Sequence, residues 1–221
     1  MIASDLISGV IPSLKTSDLG QTALNLMEVF RISHLPIVNN MEFLGLISDS
    51  DIYDANRFDE PIGNHSLNLL KPFVKTGQHI FEAIGIAARL KLTVVPVLDE
   101  NDNFKGVITS QDIIKYIAEM SSLDQPGAII VIELTERDYS LAQIAQIVEN
   151  NDIKIVSMYI TSPVNSIKLE ITIKLNSNEI SSVIRTFERY NISVKTWLSN
   201  TDSIDNFYNE RFDLLMKYLN I

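Results

Sequence analysis

Phe104-Lys105-Gly106-Val107-Ile108-Thr109-Ser110-Gln111-Asp112-Ile113 repeats, 61 positions on, the pattern of Phe43-Leu44-Gly45-Leu46-Ile47-Ser48-Asp49-Ser50-Asp51-Ile52. Toward the N-terminus the match continues at an offset of 60. Leu35-Pro36-Ile37-Val38 aligns with Val95-Pro96-Val97-Leu98, Arg31 with Lys91, and Ala23 with Ala83. Leu14-Lys15-Thr16-Ser17-Asp18 then aligns with Val74-Lys75-Thr76-Gly77-Gln78. One extra turn residue accounts for the change of offset, and so sparse a gap pattern marks an internal duplication.

Each copy follows one grammar. Apolar residues at helical spacing come first: Leu19, Ala23, Leu26, Met27 and Phe30, then Ile80, Ala83, Ile84, Ala87 and Leu90. A short apolar strand is centred on Pro36-Ile37-Val38 or Pro96-Val97-Leu98. A polar turn, Asn39 to Glu42 or Asp99 to Asn103, leads to a second strand, Leu44 to Ile47 or Lys105 to Ile108. The spacing predicts a hairpin, followed by a helix entered at Ser48 or Thr109.

From about Gly127 the pattern changes. Strands are predicted over Ala128–Leu134, Ile153–Thr161, Ser166–Leu175 and Ile192–Leu198, the middle two around a turn at Pro163-Val164-Asn165. Helices are predicted over Ser140–Asn150 and Glu179–Tyr190. The βαββαβ order implies a ferredoxin-like sandwich with both helices on one face of the sheet. In a tail helix from Ser203, residues Ile204, Phe207, Tyr208, Phe212, Leu215 and Leu219 would form one apolar stripe that needs a surface to pack against.

The 221 residues are 46% hydrophobic and 21% charged, a globular composition. Net charge is −10, with −6 in the first 120 residues and −4 in the rest, and no basic stripe. That balance argues against nucleic acid, whose affinity comes from Lys and Arg neutralising phosphates. No apolar run of membrane-spanning length and no secretory leader pattern is present, so the expected location is cytoplasmic. The absence of cysteine removes disulfides, thiolate metal sites and cysteine nucleophiles.

The repeated Gly-apolar-apolar-Ser/Thr-x-x-Asp is where chemistry concentrates. It drives a strand into a helix N-terminus, whose unpaired N–H groups attract acceptors. The glycine permits close approach of a backbone or a ligand. A carboxylate such as Asp51 or Asp112 can accept two hydrogen bonds from a ribose diol, while Ser48 or Thr109 donates to ribose or phosphate. Ser/Thr-x-x-Asp also resembles a capping box, in which both side chains serve only the helix itself.

The helix–strand–strand–helix unit, the apolar-Pro-apolar strand and the doubled motif together resemble a CBS domain pair, over roughly residues 1–122. The resemblance implies one module with two clefts for an adenosine-containing ligand: AMP, ADP, ATP or S-adenosylmethionine. It implies that Asp51 and Asp112 hold ribose hydroxyls, that Ser48 and Thr109 contact ribose or phosphate, and that the purine lies near Ile37 and Val97. Asp49 adds negative charge to the first cleft, where the second has Ser110 and Gln111. The C-terminal part is similar in element order to an ACT domain, and the layout to the acetoin utilisation regulatory protein family. The loop Thr135-Glu136-Arg137-Asp138-Tyr139 lacks the glycine usual in amino-acid-binding ACT domains, which favours a structural, dimerising role.

The expected architecture is α/β: a first repeat over 1–60, a second over 61–122, an ACT-like domain over 126–199 and a tail helix over 200–221. The expected function is non-catalytic, ligand-responsive regulation by a homodimer, acting on an enzyme or transporter. The rival is an assembly module with vestigial clefts. An enzyme is disfavoured, since P-loop, Gly-rich dinucleotide fingerprint and metal cluster are all missing. Asp99-Glu100-Asn101-Asp102-Asn103 starts like a calcium loop, but Phe104 and Ser110 stand where glycine and glutamate are needed. His34, His65 and His79 have no metal-ligand spacing, and His34 aligns with Val94 at the strand edge or cleft. Trp197 is expected in the core or at an interface.

Overall fold

A computed structural model describes residues 1–64, 69–163 and 166–199. The tail predicted over 200–221, His65, and two residues of the turn at 163–165 lie outside the described residues. The chain divides into two compact units, Met1–Tyr116 and Ile117–Ile221.

In the first unit, α1 (Gly20–Phe30), β1 (His34–Asn39), β2 (Glu42–Ser48) and α2 (Asp49–Ala55) form one repeat. β3 (Val74–Lys75), α3 (Ile80–Leu90), β4 (Val94–Leu98), β5 (Phe104–Thr109) and α4 (Ser110–Met120) form the other, α4 running on past the unit boundary. Arg31 and Lys91 end the leading helices in the left-handed conformation, at φ 53° and 54°. β1 pairs antiparallel with β2, and β4 with β5, each with a bulge at the same place, between Ile37 and Val38 and between Val97 and Leu98.

The duplication is closed by an exchange. Leu14 bridges to Ile37 in parallel within its own repeat, as Val74 does to Val97. The outer edge of each hairpin is instead covered by the segment leading into the other repeat. Ser8 bridges to Val107 on β5, and Leu70 to Leu46 on β2. The two hairpins also meet: Phe43 and Phe104 stack at 6.3 Å, and the Phe104 N–H donates to the Met41 carbonyl at 2.8 Å. Leu14, Leu35, Ile37, Ile47, Ile52, Val94 and Val107 fill the interior.

In the second unit, β6 (Ile129–Thr135), α5 (Leu141–Glu149), β7 (Ile155–Thr161), β8 (Lys168–Leu175), α6 (Ser181–Arg189) and β9 (Ser193–Leu198) follow the βαββαβ order. The antiparallel sheet has the order β7-β8-β6-β9, a ferredoxin-like topology. Alternation along β6 turns Ile130, Ile132 and Leu134 inward, where they cluster with Ile144, Ile147 and Val148 of α5 and Val183 and Phe187 of α6. Trp197 is half exposed on β9 and is not a core residue. It follows Thr196 by one position, so the strand's alternation places the two side chains on opposite faces.

Candidate functional site: paired helix caps joined through Ser33 and Thr93

Both Gly-x-x-Ser/Thr-x-x-Asp copies adopt the same geometry. At the head of α2 the Ser48 hydroxyl accepts from the Asp51 N–H at 3.1 Å, and Asp51 Oδ2 accepts from the Ser48 N–H at 2.8 Å and the Ser48 hydroxyl at 2.7 Å. At the head of α4 the Thr109 hydroxyl accepts from the Asp112 N–H at 3.0 Å, and Asp112 Oδ2 accepts from the Thr109 N–H at 3.2 Å and its hydroxyl at 2.6 Å. These are reciprocal capping boxes. None of these bonds uses Oδ1 of either aspartate, so half of each carboxylate lies outside the capping role. Thr109 is buried and Asp112 half-buried, whereas Asp51 is exposed.

The glycines of the motif serve the exchange. Gly45 and Gly106 have φ of +152° and +145°, a region L side chains rarely adopt. A Cβ on Gly45 would lie 2.6 Å from Leu69 Cβ, and one on Gly106 would lie 2.5 Å from Ile7 Cγ2. The close approach expected at these positions is therefore made by the crossing segments. Ile37 and Val97 are 1% and 0% exposed, and neither side chain presents surface.

Ser33 and Thr93, at matched positions, join the two caps. The Ser33 carbonyl accepts from the Asp49 N–H at 3.1 Å, and the Thr93 carbonyl from the Ser110 N–H at 3.0 Å. The Ser33 N–H donates to Thr93 Oγ1 at 3.0 Å, which also lies 3.1 Å from His34 Nδ1. The Thr93 N–H points at the same His34 nitrogen at 3.4 Å. Nδ1 is thus an acceptor, and the neutral ring carries its proton on Nε2. Burial pushes the His34 pKa below its ordinary value, against the opposing pull of Asp49 and Asp51. His34 therefore lies at the first cap, within the field of both carboxylates. Sequence alignment marked His34 by its match to Val94, but nothing in the sequence distinguished Ser33 and Thr93 from other small polar residues after a helix.

This arrangement, two symmetry-matched strand-to-helix caps in one exchanged pair of α/β repeats, defines a duplicated α/β module. Residues 3–57 and 71–119 match the CBS domain family, which supports a CBS domain pair in the first unit. Inosine-5'-monophosphate dehydrogenase of Bacillus subtilis (strain 168) is 33% identical over 113 residues, 49% of this chain and 23% of the dehydrogenase. A Streptococcus pyogenes inosine-5'-monophosphate dehydrogenase is 27% identical over 113 residues, with the same coverage. The chain thus spans under a quarter of the length of these curated relatives, and the match is to their CBS region. Among solved structures, a CBS domain pair/ACT domain protein from Thermotoga maritima is 20% identical, with a TM-score of 0.48 over 54% of this chain and 98% of that one. An acetoin utilization protein (AcuB) structure from Vibrio cholerae is 22% identical, with a TM-score of 0.48 over 56% and 95%. CBSX2, solved in complex with AMP, is 16% identical, with a TM-score of 0.47 over 53% and 96%. Among the described residues, no helix is long and apolar enough to cross a membrane.

Proposed function

We propose that this chain is a non-catalytic regulatory protein whose CBS pair senses an adenosine-containing ligand. The observation that carries the reading is the doubled cap, which leaves Asp51 Oδ1 and Asp112 Oδ1 outside the capping bonds. Each is a charged acceptor suited to a ribose hydroxyl, beside a hydroxyl suited to the remainder of the sugar or a phosphate. Because the side chains of Ile37 and Val97 are buried, a purine near them meets the backbone of β1 and β4 and not those side chains. The second cleft takes the more anionic ligand, because Asp49 and Asp51 both charge the first, while Ser110 and Gln111 leave the second with Asp112 alone. The Ser33–Thr93 junction supports communication: a ligand that draws on one cap displaces atoms hydrogen-bonded to the other, and it shifts the arrangement only as far as it binds one form better.

The second unit we read as an ACT-type pairing domain, with the functional protein a two-fold homodimer that regulates an enzyme or transporter in the cytoplasm. A purely structural module with vestigial clefts is favoured by one observation, that each capping box already satisfies itself. A thermal-shift series with adenosine, AMP, ADP, ATP and S-adenosylmethionine separates the readings. A bound ligand at 100 times its dissociation constant stabilises by about 2.7 kcal/mol. No shift with any of the five leaves the assembly reading.

A further inference from the structure

A cavity of about 610 Å³ opens on the first repeat between α1 and α2, and neither Ser48 nor Asp51 lines it. Its volume is in the range of small-molecule pockets. Its lining residues carry both signs of charge, Glu28 and Asp49 against Arg31, and Asp49 Oδ1 already accepts from the Ser50 N–H at 2.7 Å. Gln21 and Asn25, one helical turn apart, share a single hydrogen bond of 2.9 Å, from Gln21 Nε2 to Asn25 Oδ1, which leaves Asn25 Nδ2 and Gln21 Oε1 outside it. Tyr53 and Phe58 make an edge-to-face aromatic wall at 6.0 Å, and the Phe58 carbonyl is pinned by the Gln21 N–H at 2.8 Å.

The second repeat is an internal control, since it builds the same elements. At the positions matching Gln21, Asn25, Glu28, Asp49 and Tyr53 it has Phe81, Gly85, Ala88, Ser110 and Ile114. The scaffold therefore folds without a carboxylate, an amide or a phenol on this face. Arg31 alone keeps its charge in both copies, as Lys91. What the first repeat adds is two negative groups, hydrogen-bonding amides and an aromatic face around an existing cation.

We infer that this cavity is a binding site for a zwitterionic, amino-acid-like molecule with an apolar or aromatic side chain. Arg31 takes the carboxylate through charge-assisted hydrogen bonds, and Glu28 and Asp49 take the ammonium. The rings of Tyr53 and Phe58, with Met27 and Leu24, take the apolar body. The site shares Asp49 and Ser33 with the first cap, but neither Ser48 nor Asp51 lines it, and its failure would leave the adenosine reading intact.

Calorimetric titration of the full chain with L-leucine, L-methionine and L-phenylalanine tests the assignment. At least one binds, and N-acetyl-L-phenylalanine and L-phenylalaninamide, each lacking one charge, bind at least about tenfold more weakly than L-phenylalanine. Arg31→Met and the pair Glu28→Gln with Asp49→Asn lose binding, and Arg31→Lys keeps it. Circular dichroism of each variant separates loss of the site from loss of the fold. No binding by any of the three amino acids at millimolar concentration, or binding indifferent to Arg31→Met and to the carboxylate changes in folded protein, overturns the inference.

Discussion

Leu69 packs so closely on Gly45 that a Cβ added there would stand 2.6 Å from the leucine's own Cβ. The same relationship holds between Ile7 and Gly106, at 2.5 Å. Each glycine belongs to one repeat and each side chain to the strand-like segment that leads into the other. The glycine that opens the ligand motif is thus also the point where the exchange is locked.

Gly45→Ala and Gly106→Ala are each expected to destabilise the first unit by about 2–4 kcal/mol, from overpacking together with the positive φ. Gly85, exposed on α3 with nothing within 4 Å of an added Cβ, is the control. Gly85→Ala should stabilise by about 1 kcal/mol through helix propensity. Urea unfolding curves measure all three, and loss at Gly85 or gain at Gly45 would refute the packing account.

His34 makes the stability depend on pH. Its folded-state pKa is depressed, chiefly by burial, so below about pH 6.5 the unfolded chain binds a proton that the native chain resists. Stability is therefore fully present above that pH and falls as pH drops from 7 toward the folded pKa. Protonated Nδ1 also ceases to accept from the Thr93 N–H and hydroxyl. His34→Gln should flatten the wild-type stability profile between about pH 7 and 5.5. Parallel profiles for the two proteins in denaturant titrations would count against it.

Much of this was legible in the sequence, and the limits were physical. Period and turn chemistry are local, and among the described residues they located the helices, the hairpins and the caps at Ser48 and Thr109. Strand starts moved slightly: the strand expected from Ile153 begins at Ile155, and Ile153, 5% exposed, packs in the core just ahead of it. The exchange of Ile7–Ser8 and Leu69–Leu70 between repeats was not legible, since single bridges such as Ser8 to Val107 and Leu70 to Leu46 leave no periodicity in either segment. The tie between Ser33, His34 and Thr93 escaped for the same reason. So did the cavity over Tyr53 and Phe58, whose residues look like an ordinary solvated helix face until the two repeats are laid on one another.

In the second unit, Lys174 is 7% exposed and donates to the Gly127 carbonyl at 2.8 Å, across 47 residues. Lys174→Met preserves the aliphatic stem but leaves that carbonyl unpaired, an expected loss of about 1–3 kcal/mol. Gly127→Ala should be worse, because its Cβ would fall 1.9 Å from the Leu175 carbonyl oxygen at a φ of +145°. Thermal unfolding ranks the two, and a Gly127→Ala protein as stable as wild type would contradict the entry geometry of β6.

Calorimetric titration of AMP into the wild-type chain and the Asp51→Ala/Asp112→Ala double variant tests the central claim most directly. Both aspartates also cap their helices, so each substitution carries a stability cost of about 0.5–2 kcal/mol, and unfolding curves must first show both proteins folded. The sensing account predicts saturable binding to the wild type. It predicts that Asp112→Ala alone weakens AMP by about 1.5–3 kcal/mol, and that the double variant loses it. Equal affinity in the wild type and the folded double variant would contradict it.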